Sequence, residues 1–268
     1  MESSLYSVQP VSPVAPYIGG KRKLAKRLCA MIDQVDHQTY AEPFVGMGGV
    51  FFRRAHRPPC EAINDWSREV HNFFRVLQVH YLAFLEMMRF QITSRAEFER
   101  LSLEKPETLT DMQRAARFLY LQRTSFGGKV VGQGFGTAPG YPGRFDVSKL
   151  QPMLEAVHER LSAVVIERMR WADFIRKYDR PGTLFYLDPP YYRCEGDYGE
   201  GMFDRAEFAE MSELLAGLKG RFILSINDHP EIRATFARFH LEPVQVGYSI
   251  GGGNKQAKFG ELIVTAKT

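Results

Sequence analysis

The sequence predicts an α/β fold, a mostly parallel, doubly wound sheet interrupted by an inserted, mainly helical segment. Three observations carry that prediction. Thr39–Phe44, a glycine turn and Glu61–Asp65 read as strand, turn with helix start, and strand. The alternation then stops until Ala163–Arg168. It resumes with Thr183–Leu187, an apolar run closed by Asp188-Pro189-Pro190-Tyr191.

Lys21–Val35 reads as an amphipathic helix, with Leu24, Leu28, Met31 and Ile32 on one face. Thr39–Phe44 reads as a strand, Val45–Gly49 as a turn, and Val50–Ala55 as the start of a second helix. Glu61-Ala62-Ile63-Asn64-Asp65 is a short strand ending in an acid. Helical patterns fill most of Ser67–Arg123, with breaks near Thr93 and Lys105-Pro106. That stretch is too long for one crossover, so Val79–Leu161 reads as an inserted subdomain. At its centre, Ser125–Phe145 holds seven glycines and four aromatics, which predicts a loop or short hairpin. Next come a short helix at Trp171–Tyr178, a strand at Thr183–Leu187, and a helix at Asp204–Leu218 with Asp204 as its N-cap. Arg221–Ile226 is a strand and Pro230–Phe239 a helix. Two strands, Pro243–Ser249 and Phe259–Ala266, flank Gly251-Gly252-Gly253 and suggest an antiparallel finish.

The 268 residues, 44% of them hydrophobic, can bury a sizeable core. No apolar run reaches the ~18 residues of a membrane span. The N-terminal MESSLYSVQPVSP lacks the basic and apolar regions of a signal peptide. Cys29, Cys60 and Cys194 have no metal-ligand spacing, and their odd number argues against a disulfide framework. No metal and a reducing cytoplasm are expected. Net charge is only +4, but Met112–Leu150 carries six Lys/Arg residues against the single acid Asp146. Such an excess suits a polyanion; the plainer reading is a solvated basic face.

Two prolines in a row cannot extend a central strand, because neither donates an N–H. The strand before Asp188 must end in a rigid turn. The Asp188 carboxylate and a proline carbonyl can accept hydrogen bonds from the amino group of a flat ring, and Tyr191 can stack on it. Pro-Pro after a strand can also be a bare stop signal. Glu42-Pro43-Phe44-Val45-Gly46-Met47-Gly48-Gly49 lies between strand and helix, where glycines admit a ligand to the backbone. Asp65 follows Gly46 by 19 residues at the next strand end, placed to bind a ribose diol. A nicotinamide dinucleotide or S-adenosylmethionine fits this pattern. Phe51 stands where the dinucleotide fingerprint needs its third glycine, and Arg22 where a P-loop needs Ser or Thr. Lys21 opposes the helix dipole at its position, so it either answers a carboxylate, such as that of a methionine moiety, or is solvated.

The segments PYIGGKRKLAKRL, AEPFVGMGGVFF, AINDWSREVHNFF, WADF, FYLDPPYY, FILSINDHPEI and ELIVTA occur in the order found in Dam-type DNA adenine N6-methyltransferases. The chain resembles that family over residues 16 to 266, with a phage- or prophage-like flavour. The resemblance implies a Rossmann-like methyltransferase sheet using S-adenosyl-L-methionine. It implies a catalytic domain at residues 1–78 and 162–268, and a target-recognition subdomain at 79–161. By motif position Tyr17, Lys21, Glu42, Pro43, Phe44, Gly46, Gly48 and Asp65 would line the cofactor. Asp173 and Phe174 of WADF would lie at its adenine, with Asp173 on the amino group. Asp188, Pro189, Pro190 and Tyr191 would form the catalytic turn, Asp188 touching both cofactor and target base.

The implied substrate is adenine in double-stranded DNA, which must be flipped out of the duplex. Candidate DNA contacts are Arg123, Ser125, Lys129 and Arg144. In YLQRTSFGGKVVGQGFG, Gln122, Gly127 and Val131 replace the family's Asn, Asn and base-reading Arg. These departures leave a GATC target open and adenine methylation in place. Cytosine-N4 or RNA-base methylation, or a catalytically silent DNA-binding relative, are the other readings. The intact Asp188, Asp65 and Lys21 argue against the last. A monomer or weak dimer in the cytoplasm, associated with the nucleoid, is expected; a cognate restriction enzyme is left open.

Overall fold

The computed structural model describes residues 5–137, 140–199, 201–249 and 256–267. The chain begins with β1 (Tyr6–Ser7), α1 (Ala25–Asp33), β2 (Thr39–Glu42), β3 (His56–Arg57) and β4 (Cys60–Asn64). A helical stretch follows: α2 (Arg68–Val79), α3 (Tyr81–Met88), α4 (Arg95–Leu103), α5 (Asp111–Thr124) and α6 (Val147–Leu161). Then come β5 (Val165–Glu167), α7 (Trp171–Tyr178), β6 (Thr183–Leu187), α8 (Glu207–Ala216), β7 (Arg221–Asn227), α9 (Pro230–Thr235), β8 (His240–Ser249) and β9 (Gln256–Thr265).

The main sheet has the order β5-β4-β2-β6-β7-β9-β8. Strands β5, β4, β2, β6 and β7 run parallel, while β9 pairs antiparallel with both β7 and β8. This is the mostly parallel sheet with an antiparallel finish that the alternation predicted. The strand order reverses between β2 and β6, and a ligand crevice forms at the carboxyl ends of strands at such a point.

Side-chain alternation assigns the two faces of the sheet. Tyr40, Ile63, Leu184, Tyr186, Ile223 and Ile263 join a core shared with α1, α2 and the inserted helices. Ala41, Ala62, Phe185, Leu187, Leu224, Leu262 and Val264 join a second core with α7, α8 and α9. The inserted helices add Phe98, Phe118, Leu150 and Leu154 to the first core, so they extend it rather than build a separate one.

Three local expectations are corrected. Val50–Ala55 forms only a single 3-10 turn, Phe51–Arg53. Phe51 and Phe52 are both buried, and Arg54 turns inward to pair with Glu61, so no face is left for solvent. The chain instead runs into β3, which pairs antiparallel with β1. Asp204 does not cap α8, whose N-cap is Ala206. Its carboxylate is used one turn earlier, accepting the Ala206 N–H at 3.0 Å, while Glu207 accepts the Asp204 N–H at 2.9 Å. Helix α9 ends at Thr235, short of the expected Phe239. Phe236 and Phe239 there pack into the second core. Gly251, Gly252 and Gly253 lie outside the described residues.

Candidate active site

A cavity of about 540 Å³ opens at the switch point. Its walls come from the segment before α1, the turn after β2, the end of β4, the start of α7 and the turn after β6. Tyr17, Lys21, Glu42, Pro43, Phe44, Gly46, Asp65, Asp188 and Pro190 all line it, brought together from four separate stretches of sequence.

The glycine turn is held in one shape by local constraints. Gly46 has φ +50°, and a Cβ there would meet the Tyr17 ring at 3.0 Å. Gly48 has φ +72°, and its Cβ would lie 2.3 Å from the Phe52 ring. Neither position accepts a side chain without strain. The Gly46 N–H donates to Asp65 Oδ2 at 2.9 Å, and the Ser67 N–H to Oδ1 at 2.9 Å. The carboxylate that ends β4 is thereby tied to the turn that follows β2. Burial still raises Asp65 to about 6, with those two hydrogen bonds pulling the other way. Pro43 contributes its carbonyl to Asn64 Nδ2 at 3.0 Å, closing the same corner. Phe44 packs between Trp171 and Phe203, at ring distances of 6.3 and 6.0 Å.

The turn after β6 holds the charged centre. Asp188 Oδ1 lies 2.7 Å from Lys21 Nζ and accepts a hydrogen bond from the Ser225 hydroxyl at 3.4 Å. Lys21 is almost fully buried, with a side-chain exposure of 1%, against 20% for Asp188. Lys21 therefore is not solvated; the carboxylate it answers is in the protein. Lys21 also donates to the Tyr191 hydroxyl at 2.5 Å, which donates in turn to Glu261 Oε1 at 2.8 Å. Burial raises the Asp188 carboxyl to about 6, although Lys21 beside it favours the charged form. Pro189 and Pro190 are buried. Beyond them Tyr192 is clamped to Asn227, its N–H donating to Oδ1 at 2.9 Å and its carbonyl accepting from Nδ2 at 3.2 Å.

Of the remaining candidates Arg123 also lines the cavity, whereas Gly48, Asp173, Phe174, Ser125, Lys129 and Arg144 do not. Asp173 is exposed on α7 and pairs with Arg176 at 3.1 Å. Phe174 is fully buried in the second core. The α7 side of the cavity is formed by Arg170 and Trp171 instead, and Trp171 Nε1 donates to Glu207 Oε2 at 2.5 Å. On the inserted segment, Lys129 is exposed. Arg144 is half-buried, donates to the Ser125 carbonyl at 2.8 Å and lies 5.8 Å from the Phe126 ring centre. Ser125 has no exposure, and its hydroxyl donates to the Gln122 carbonyl at 3.3 Å. Arg123 is half-buried and donates to the carbonyls of Val14 and Arg144. Arg114 and Arg117 do not join a basic face either. The first is buried against Glu69, and the second donates to the Leu101 carbonyl.

Glu261, Tyr186, Ser225, Tyr198 and Trp171 were not picked out by reading the sequence. Glu261 had a visible signal, an acid directly before the apolar run Leu262-Ile263-Val264 of a strand. The others carry no local mark, since tyrosine, serine and tryptophan are ordinary in strands and helix starts.

A doubly wound sheet with a glycine turn, an acid one strand over and an Asp-Pro-Pro-Tyr turn at the switch point defines a Rossmann-like methyltransferase. The chain belongs to the D12 class N6 adenine-specific DNA methyltransferases, whose family model matches residues 17–250. It is similar to the type II methyltransferase M1.LlaDCHI of Lactococcus lactis subsp. cremoris, 25% identical, with 94% of each chain covered. It is also similar to the type II methyltransferase M.CviBI of Paramecium bursaria Chlorella virus NC1A, 24% identical, covering 84% of this chain and 86% of that one. The protein is an adenine-specific DNA methyltransferase, a family that uses S-adenosylmethionine.

Proposed function

We propose that the switch-point cavity binds S-adenosylmethionine beside a flipped-out adenine of double-stranded DNA, with Asp188 and the Pro189 carbonyl gripping the adenine amino group. The observation that carries this reading is the position of Asp188. It stands at the carboxyl end of β6, in the cavity wall beside Pro190, with the more exposed end of a buried ion pair.

The residues present fit the cofactor. Each Asp65 oxygen accepts one backbone N–H, leaving lone pairs for a ribose diol. Phe44 and Trp171 supply apolar ring faces for an adenine. Gly46, at positive φ, brings bare backbone to the cavity, and Gly48 shapes the turn against Phe52. When bound, this cofactor supplies an electrophilic methyl group on a cationic sulfur.

The chain's own residues would do the rest. An aromatic amine is a weak nucleophile, because its lone pair is delocalised into the ring. Ionised Asp188 accepts one N6 hydrogen and the Pro189 carbonyl the other, which returns electron density to that nitrogen. Lys21 and a cationic ligand both favour the ionised carboxylate. No strong base is needed, because the amino proton becomes acidic as the new N–C bond forms. Holding the two partners in line contributes much of the acceleration. Tyr191, its hydroxyl fixed by Lys21 and Glu261, offers its ring as a stacking surface. Residues 79–161 act as the recognition subdomain in this reading. Lys129 and Arg144 meet the DNA there, while Arg123 and Ser125, with their polar groups engaged inside the protein, shape the loop.

Calorimetric titration of the cofactor tests the division of labour. D65A is expected to weaken binding by about tenfold or more, through loss of the diol's acceptor. D188A is expected to transfer no methyl group even at saturating cofactor. Unchanged cofactor affinity in D65A, or methyl transfer by D188A, would contradict the assignment.

A further inference from the structure

We infer that Glu261 is a positioning residue for methyl transfer, receiving the Lys21 ammonium when Asp188 turns to the adenine amino group. This rests on the reading of Asp188 given above. Lys21 Nζ stands between two carboxylates, 2.7 Å from Asp188 Oδ1 and 3.6 Å from Glu261 Oε2. The Tyr191 hydroxyl bridges the pair, accepting from Lys21 and donating to Glu261. The two carboxylates differ in surroundings. Asp188 faces the cavity at 20% exposure, while Lys21 and Glu261 are each 1% exposed.

Those differences assign the roles. In the arrangement described, Asp188 Oδ1 is occupied by Lys21 and Ser225. Among the described residues nothing bonds Asp188 Oδ2; as the carboxylate turns to present that oxygen to an adenine amino group, Oδ1 is drawn away from Lys21. A buried ammonium that lost its counter-ion would carry a large desolvation penalty. Glu261 removes that penalty. A charge-assisted N–H···O contact is ~2.8 Å long. Lys21 therefore needs to move by less than ~1 Å from its present 3.6 Å to pair fully with Glu261. Glu261 is fixed by the sheet, since β9 lies between β7 and β8 and its register sets Glu261 opposite Asn227. Asn227 in turn clamps Tyr192 at the end of the catalytic turn. The ligand-facing carboxylate thus sits on a turn, and the retaining carboxylate on a buried strand.

The acid-limb shift reports that Glu261 and Asp188 share one electrostatic site; what the handover adds is a loss in kcat with cofactor Kd and DNA KM nearly unchanged. Lys21 and Ser225 touch or closely approach Asp188, Tyr191 reaches it through Lys21, and Glu42, Tyr186, Tyr198 and Glu261 act on it or feel it at longer range. Within this set Lys21 lowers the Asp188 carboxyl and Glu261 raises it. In E261Q the repulsion disappears and Lys21 is left with Asp188 alone.

The test is a set of pH profiles of kcat and kcat/KM for methyl transfer in the parent, E261Q, E261D and D188A. E261Q is expected to lose on the order of tenfold or more in kcat, with cofactor Kd and DNA KM within about threefold. Its acid limb in kcat/KM is expected to move to lower pH. E261D keeps the charge, so its acid limb should stay at the parent's position with kcat between the other two. An E261Q kcat equal to the parent's, or an unmoved acid limb, would overturn the proposal. Should E261Q fail to fold, E261D decides the matter: parent-like kcat, or an acid limb displaced downward, is the contrary result. Activity in D188A would instead sink the underlying assignment of Asp188, so the two failures are told apart.

Discussion

In the role proposed for it, Asp188 meets two opposed demands. It must be charged to accept an amino hydrogen, and it must be removed from water to make that bond strong. Burial raises its carboxyl from 3.8 to about 6, and Lys21 limits the rise. The protonated form cannot accept, so activity should fall as pH drops through that value. The acid limb of kcat/KM, which reports the free enzyme's groups, is expected near 6 rather than near an ordinary 3.8. A profile flat down to the ordinary carboxylate range would contradict this placement. At this scale the Asp-Pro-Pro-Tyr turn is legible in the sequence, because proline chemistry forces a strand to stop where Asp188 stands. From its neighbours alone Lys21 either answers a carboxylate or is solvated. Its partners come from Asp188, Tyr191 and Glu261, far away in sequence, and no local pattern reports such a contact.

Strand β2 carries a different buried acid. Glu42 lies at its carboxyl end, with the Tyr40 hydroxyl donating to Oε2 at 2.6 Å. Burial lifts its carboxyl from 4.5 to about 8, while Tyr40 and Arg54 pull it partly back. The folded value is above the unfolded one, so the folded state holds this proton more tightly. The stability it contributes is complete below 4.5 and is lost as pH rises through about 8. Glutamine keeps an acceptor for Tyr40 without the charge. E42Q is therefore expected to melt close to the parent at the acid end and increasingly above it toward the alkaline end, as read from thermal melts across that range. A pH-independent offset would contradict the account.

The same part of the sheet explains where sequence periodicity failed. The apolar run from Val50 suggested a helix. Arg54 packs 3.6 Å from the Tyr40 ring centre, and it shares Glu61 with Arg160. A buried ion cluster of residues 54, 61 and 160 is invisible to a local window, yet it turns the chain away from helix after one turn. By contrast β6 and α7 match their predicted bounds, because the apolar run Leu184–Leu187 and a strong 3.6-residue period leave little choice.

Across the whole molecule, the inserted segment is stitched to the cavity it serves. Gln122 Nε2 donates to the Pro16 carbonyl at 2.8 Å and to the Gly128 carbonyl at 2.6 Å. Gly128 has φ +68°, and a Cβ there would lie 2.9 Å from the backbone of Pro16 and Tyr17. Arg123 adds its bond to Val14. The end of α5 thus grips the segment that forms one wall of the cavity. Composition alone could not separate these roles, because it counts Arg114, Arg117 and Arg123 as surface charge although each is engaged inside the protein. The central claim is that this assembly presents a flipped adenine to Asp188, and its most direct measurement is transfer of a labelled methyl group to unmethylated genomic DNA, followed by nucleoside analysis. The account predicts label in N6-methyladenine with the parent and none with D188A; label in N4-methylcytosine, or equal incorporation by D188A, would contradict it.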